Sequence, residues 1–200
     1  MTTRRLHLMP VTAEHVAGFL RDREELGRLI GARVPESWPV FPETFPFWID
    51  RLREDPSLVG WAGWMFILKN ENALVGDGGF KGKPDSDGAV EIGYAIVPDY
   101  RRRGVATEAA RGLIDWAFSH TEVRRVRVET LEDSPASMAV PKKLGMRLTC
   151  EAFETEDGRV LRWEIGREAY GHLHNKSNNG CHHKVHPSAM LRAFGKGHEE

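Results

Sequence analysis

The chain has 200 residues, 40% of them hydrophobic and 28% charged, with a formal net charge of -1. That length suits one domain with a real core and an appendage, and the composition is that of a globular protein rather than a membrane-embedded one. A near-neutral balance argues against a broad nucleic-acid-binding surface, which needs a basic excess gathered on one face.

No apolar run approaches the roughly 20 residues needed to span a bilayer. The start, MTTRRLHLMP, lacks the apolar centre of a secretion signal, so the expectation is a cytoplasmic protein without a membrane partner. The two cysteines, Cys150 and Cys181, are expected to be thiols, since nothing else points to an oxidising compartment.

In chain order, LHLMPV alternates as a strand does, and Thr12 stands as an N-cap ahead of AEHVAGFL. Asp22 and Glu25 have capping-box spacing at the head of a second helix, REELGRLI, which Gly31 ends. Over 34–47, Pro35, Pro39, Pro42 and Pro46 interleave with Trp38, Phe41, Phe45 and Phe47, which predicts an aromatic loop leading into a short helix, FWIDRLRED. Three strands follow at 61–68, 73–80 and 90–97, separated by the turns KNEN and KPDSDG, the pattern of consecutive antiparallel hairpins.

Ala110, Leu113, Ile114 and Ala117 then recur at helical spacing, giving an amphipathic helix to about Phe118. A short strand at 126–130 precedes a helix from Ser134 to Leu144, closed by Gly145, and two strands at 148–155 and 159–165 flank the turn EDG. From Gly171 to Glu200 the chain carries six of the nine histidines and little apolar periodicity. The expected organisation is therefore a domain over 1–167 and a His-rich, flexible extension over 168–200. Within it Cys181, His182, His183 and His186 carry donors without an established zinc spacing, so no metal is expected.

The junction DYRRRGVATEA carries the chemistry. Strand, tight turn and helix in succession leave the first helical amides without partners and place about half a positive charge at the helix end. Gly104 allows close backbone approach, Ala106 keeps the wall low, and Arg101, Arg102 and Arg103 add charge, so a phosphate fits. The bland alternative is a solvated basic turn. Neither the P-loop GxxxxGK[ST] nor the dinucleotide fingerprint GxGxxG is present.

Arg101, Gly104 and Ala106 do match [QR]xxGx[GA], and the longer string EIGYAIVPDYRRRGVATEAARGLIDWAF closely resembles the GNAT acetyltransferases, in the branch related to ribosomal-protein N-terminal acetyltransferases. The resemblance runs from about Leu6 to Ile165. It implies an α+β fold with a central, mostly antiparallel, splayed mixed sheet of six to seven strands flanked by helices. It implies acetyl-CoA as co-substrate, with the pyrophosphate on the amides from Arg102 to Thr107, Val105 among them, and the pantetheine arm paired with the backbone of Ile96 and Val97.

Transfer to an amine needs a neutral nucleophile, hence a base, because an α-amine near 8 or a lysine near 10.4 is largely protonated at neutral pH. Glu91, in EIGY, is the candidate, directly or through a water. Glu129 is the runner-up, and each has a plain reading as an exposed strand charge. SPASMAVPKKLGM resembles the family's NxxSxxxxxKLGF, which implies contacts with the pantetheine or thiol, with Ser134 for the asparagine as a cofactor-binding residue, Ser137 matching the serine as an aid to the departing thiol, and Met146 for the aromatic. Ser134 also reads as an N-cap with Pro135 at N1. Pro141 stands where relatives carry a tyrosine acid, which excludes that acid here, and it predicts a kink.

The expectation is direct transfer in a ternary complex from acetyl-CoA to a primary amine, either a small molecule or a protein N-terminus. The rival reading is a non-catalytic acyl-CoA sensor on the same fold. Arg124, Arg125 and Arg127 have no interleaved stacking aromatics, so no nucleic-acid partner is expected. Relatives suggest a monomer or homodimer.

Overall fold

The structure, a computed structural model, describes residues 1–42, 50–155 and 158–177. Seven strands form one sheet: β1 Leu6–Pro10, β2 Gly63–Leu68, β3 Ala73–Phe80, β4 Ala89–Ile96, β5 Arg125–Leu131, β6 Arg147–Thr155 and β7 Gly158–Gly166, in the order β1-β2-β3-β4-β5-β7-β6. Every neighbouring pair is antiparallel except β4 and β5, which run parallel. A parallel pair needs a crossover. The helix α3, Val105–Ser119, supplies it.

Local signals set the helix ends. In α1, Ala13–Arg21, the Thr12 hydroxyl accepts from His15 N while His15 Nδ1 accepts from Thr12 N, a reciprocal cap. Asp22 caps α2, Arg23–Ile30, and Gly31 closes it at φ +63°. Residues 50–54 are helical, within the expected short helix, whose first residues lie outside the described ones.

The sheet core forms because β2 reads GWMFIL, apolar on both faces, with Trp64 and Phe66 fully buried. On one face lies α3, whose Trp116 meets Trp64 edge-on at 5.3 Å. On the other lie α1 and the 34–42 loop, where Trp38 is fully buried and meets Phe19 edge-on at 5.1 Å. Arg23 fixes that loop by donating to the carbonyls of Pro35 and Trp38.

Pro141 lies inside α4, Pro135–Lys143, which continues through it although a proline there cannot donate to the Ser137 carbonyl. One expectation is corrected. The segment after 167 does not begin as an open tail: α5, Arg167–Ser177, follows β7 directly. Tyr170 buries its ring and donates to Asp115 at 2.8 Å. Arg167 donates to Phe118 O at 2.6 Å and to the carbonyls of His120 and Val123, closing the C-terminal end of α3. Cys181, His182, His183 and His186 lie outside the described residues.

Candidate active site

The pairing of β4 with β5 runs only from Ala89 opposite Arg125 to Ile92 opposite Val128. Beyond that point β4 stays bound to β3 as far as Ile96 opposite Gly76, and β5 stays bound to β7 as far as Leu131 opposite Val160. A notch therefore opens in mid-sheet.

Lys81 N donates to Glu91 O at 2.9 Å and Val97 N to Val75 O at 3.0 Å. Because bonding alternates along an antiparallel pair, the backbones of Glu91, Gly93, Ala95 and Val97 are turned to β3 and those of Tyr94 and Ile96 to the notch. The Ile96 carbonyl already accepts from Arg101 Nε at 2.8 Å. Both groups of Tyr94 and the amide of Ile96 are left to pair with an incoming extended chain. Val97 is committed twice, its amide to Val75 and its carbonyl to Tyr100 N at 3.0 Å.

From β4 the chain passes through a tight turn, Pro98–Tyr100, to four exposed residues and then α3. Arg102 and Gly104 are left-handed, at φ 62° and 75°. Gly104 adopts that conformation without strain, and a Cβ there would meet only Arg5 Nη2 at 3.5 Å, so the bend is open. Among the described residues no side chain caps α3. Among the described residues the amides from Arg102 to Thr107 have no hydrogen-bond partner.

An anion is the natural complement of such an end. Arg5 fixes the bend from outside, donating to Arg103 O at 2.9 Å and to Glu108 Oε2 at 2.6 Å. Burial pushes the Glu108 carboxyl up, but the bonds from Thr3 and Arg5 outweigh it and hold it below the usual range. The charge of Glu108 is thus matched by Arg5 rather than left to oppose an anion.

The two candidate bases share one cation. Glu91 and Glu129 lie on the same face of the sheet, and Lys81 Nζ pairs with Glu91 and lies 3.4 Å from Glu129 Oε2. Arg162 adds a bond to Glu129 at 2.7 Å. Burial raises the Glu129 carboxyl, but Arg162 and Lys81 together bring it below the usual range.

A third carboxylate on that face was not picked out from the sequence. Asp77 stands opposite Ala95, two residues along β4 from Gly93, and Gly93 stands two from Glu91. Its Oδ2 is sealed from solvent and lacks a hydrogen bond of normal geometry among the described residues. Burial pushes its carboxyl up to about 6, and the Trp38 indole, acting as a donor, only partly offsets this. The legible signal was one charged residue inside ALVGDGGF, a strand otherwise of apolar residues and glycine. On the opposite face the Tyr94 hydroxyl is also buried without a partner among the described residues, and burial holds it above the ordinary phenol range.

Ser134 and Ser137 stand at the start of α4, just past the end of β5. Ser134 is the N-cap and donates from its hydroxyl to Ser137 Oγ at 2.8 Å, leaving the Ser137 proton available. Pro141 is buried in the same helix.

A sheet parted beside a helix start that no side chain caps among the described residues, with backbone groups turned into the gap, is the architecture of an α+β domain with an open mid-sheet cleft. Residues 5–147 match the family model described as the acetyltransferase (GNAT) domain, and the chain belongs to that family. It is similar to a protein named as an N-acetyltransferase, YjdG of Bacillus subtilis (strain 168), at 30% identity over 156 residues, which is 77% of this chain and 93% of that one.

It is also 30% identical over 194 residues to YdaF of the same organism, named for ribosomal N-acetyltransferase activity, covering 95% of this chain and 91% of the relative. RimJ of Mycobacterium smegmatis, solved in complex with CoA-disulfide, shares the fold with a TM-score of 0.61 at 20% identity, over 86% of this chain and 89% of that one. The chain is an acetyl-CoA-dependent N-acetyltransferase.

Proposed function

We propose that this enzyme transfers acetyl directly to a primary amine held on the Glu91 face of the notch. The amides from Arg102 to Thr107, Gly104, Val105 and Ala106 among them, receive the pyrophosphate, with Arg101, Arg102 and Arg103 supplying charge at the rim. Tyr94 and Ile96 pair with the pantetheine arm, and Val97 shapes the turn beside it. Acetyl-CoA supplies the thioester. Glu91, its rotamer held by Lys81, takes the amine proton directly or through a water. The C–N bond forms as the C–S bond breaks, and Ser137, oriented by Ser134, donates a hydrogen bond to the departing sulfur.

The single observation that carries this reading is the coincidence of the notch with the open bend: paired strands would leave the thioester no path, and a capped helix would leave the phosphates no seat. The acceptor classes in view are a protein N-terminus, in keeping with the name of YdaF, and a small-molecule amine. No helix among the described residues is long and apolar enough to cross a membrane. We place the reaction in the cytoplasm, on a monomer or homodimer, with no metal, membrane or nucleic acid required.

The test is a free-thiol assay with acetyl-CoA over a panel of spermidine, benzylamine and peptide amides beginning with Ser or Ala. Thiol release with at least one acceptor is expected. Glu91→Gln is expected to lower kcat by about 100-fold or more while acetyl-CoA affinity holds. Binding without turnover over the whole panel would instead describe an acyl-CoA sensor.

A further inference from the structure

The mechanism uses neither Asp77 nor the bare stretch of sheet beside it. Along β4, Glu91, Gly93 and Ala95 share one face, and Gly93 contributes no side chain; a Cβ built there would meet nothing within 4 Å. Glu91 stands at one end of that open floor, already bound to Lys81. At the other end, across from Ala95, is Asp77, with Oδ2 sealed from water and short of a partner among the described residues. Two residues of strand span about 7 Å, so both carboxylates lie within side-chain reach of a group seated over Gly93.

A buried carboxylate without a full set of donors is costly, and the cost is relieved by a cation brought to it. The cation at the other end of the floor is committed, since Lys81 pairs with both Glu91 and Glu129. The Trp38 indole supplies only a neutral donor. What the trough lacks is a small cationic group able to donate several hydrogen bonds, and an alkylammonium is that group.

We propose that Asp77 captures the acceptor as its ammonium ion and seats the nitrogen over Gly93, between itself and Glu91; the ammonium loses one proton to solvent to become the neutral nucleophile, and Glu91 takes the second as the C–N bond forms and CoA leaves as its thiolate. Asp77 then selects alkylamines, which are cationic at neutral pH, over arylamines and alcohols of the same shape. This rests on the acetyl-transfer reading above. The two assignments have separate kinetic signatures: Glu91 governs kcat, Asp77 governs acceptor KM.

The experiment uses the full chain and the best acceptor from the amine panel, together with the alcohol carrying hydroxyl in place of its amine. In the wild type the alcohol is expected to inhibit at concentrations at least tenfold above the acceptor KM. Asp77→Asn is expected to raise that KM at least tenfold, to bring the alcohol and amine to within about threefold of each other, and to leave acetyl-CoA affinity and saturated kcat within about threefold; a charge-assisted hydrogen bond of roughly 1.5–3 kcal/mol corresponds to such a factor.

Melting temperature gives an independent check. A residue serving only to hold Trp38 would lower it on substitution, whereas a buried charge kept for a ligand would raise it. Asp77→Ser gives the same readings if the asparagine variant fails to bind acetyl-CoA. An unchanged acceptor KM with folded variant protein overturns the assignment of Asp77 alone. Wild-type protein that binds acetyl-CoA yet acetylates no amine overturns the transfer reading, and this proposal with it.

Discussion

Asp77 shows how one side chain can set local chemistry against stability. Burial raises its carboxyl from the ordinary 3.8 to about 6, so the folded form holds the proton more tightly than the unfolded chain does. Well below pH 3.8 both forms are protonated and no penalty applies. From there to about pH 6 the unfolded chain ionises first and stability falls, and above that the loss is complete, at up to about 3 kcal/mol. Asp77→Asn is therefore expected to be more stable than the wild type at about pH 8, with the difference vanishing near about pH 3. Urea denaturation at the two pH values measures it, and equal differences at both would show that the charge is not what matters.

Gly104 belongs to the same scale. Its φ of 75° is a conformation that a β-branched residue adopts only under strain, and its bare Cα keeps the bend open. Gly104→Val is expected to weaken acetyl-CoA binding at least tenfold by calorimetry.

At the scale of elements, α3 is held at both ends by residues distant in sequence. Arg5 reaches across from the head of β1 to Arg103 and Glu108. Arg167 reaches across from the head of α5 to carbonyls in and just past the last turn of α3, with its guanidinium 5.2 Å from the Phe118 ring centre. A charged fork on several carbonyls at a helix C-terminus also opposes the helix dipole. Arg167→Ala is expected to cost about 2 kcal/mol in urea denaturation, and Arg167→Lys to recover little of it, since an ammonium cannot bridge the same acceptors. These anchors hold that end of α3 still, while among the described residues its first amides have no partner.

The expected strands and helices match the observed elements closely because each had a local cause: Thr12 and Asp22 as caps, Gly31 and Gly145 as stops, GWMFIL and ALVGDGGF as strands between turns. The open bend before α3 was legible for the same reason, since its glycine and arginines are contiguous. Asp77 was not, because its significance depends on Ala95 opposite it and Trp38 above it, and Trp38 lies 39 positions away in the chain. Nor was the pairing of Glu91 with Lys81, which a hairpin register brings about.

At the scale of the whole molecule, the protein is a sheet parted between β4 and β5. On the proposed reading an extended arm pairs with the edges bordering the notch, whose backbone groups have no partner among the described residues, so acetyl-CoA is expected to stabilise the fold as a linked equilibrium. At one hundred times Kd the gain is about 2.7 kcal/mol, readable as a rise in melting temperature that shrinks or disappears in Gly104→Val. A ligand bound only at the surface arginines would give a stabilisation that salt removes and that Gly104→Val leaves intact.

The amino-acid order alone determined the parts: which segments pair or coil, where they stop, and that a phosphate can rest at the start of one helix. These follow from interactions within a few residues, whose energies depend on local spacing. Only the folded chain decided where the sheet parts, which backbone groups look into the opening, and which carboxylate is short of a partner among the described residues. Those outcomes depend on registers between distant strands and on what burial does to a charge, and neither is fixed until every strand has found its neighbour.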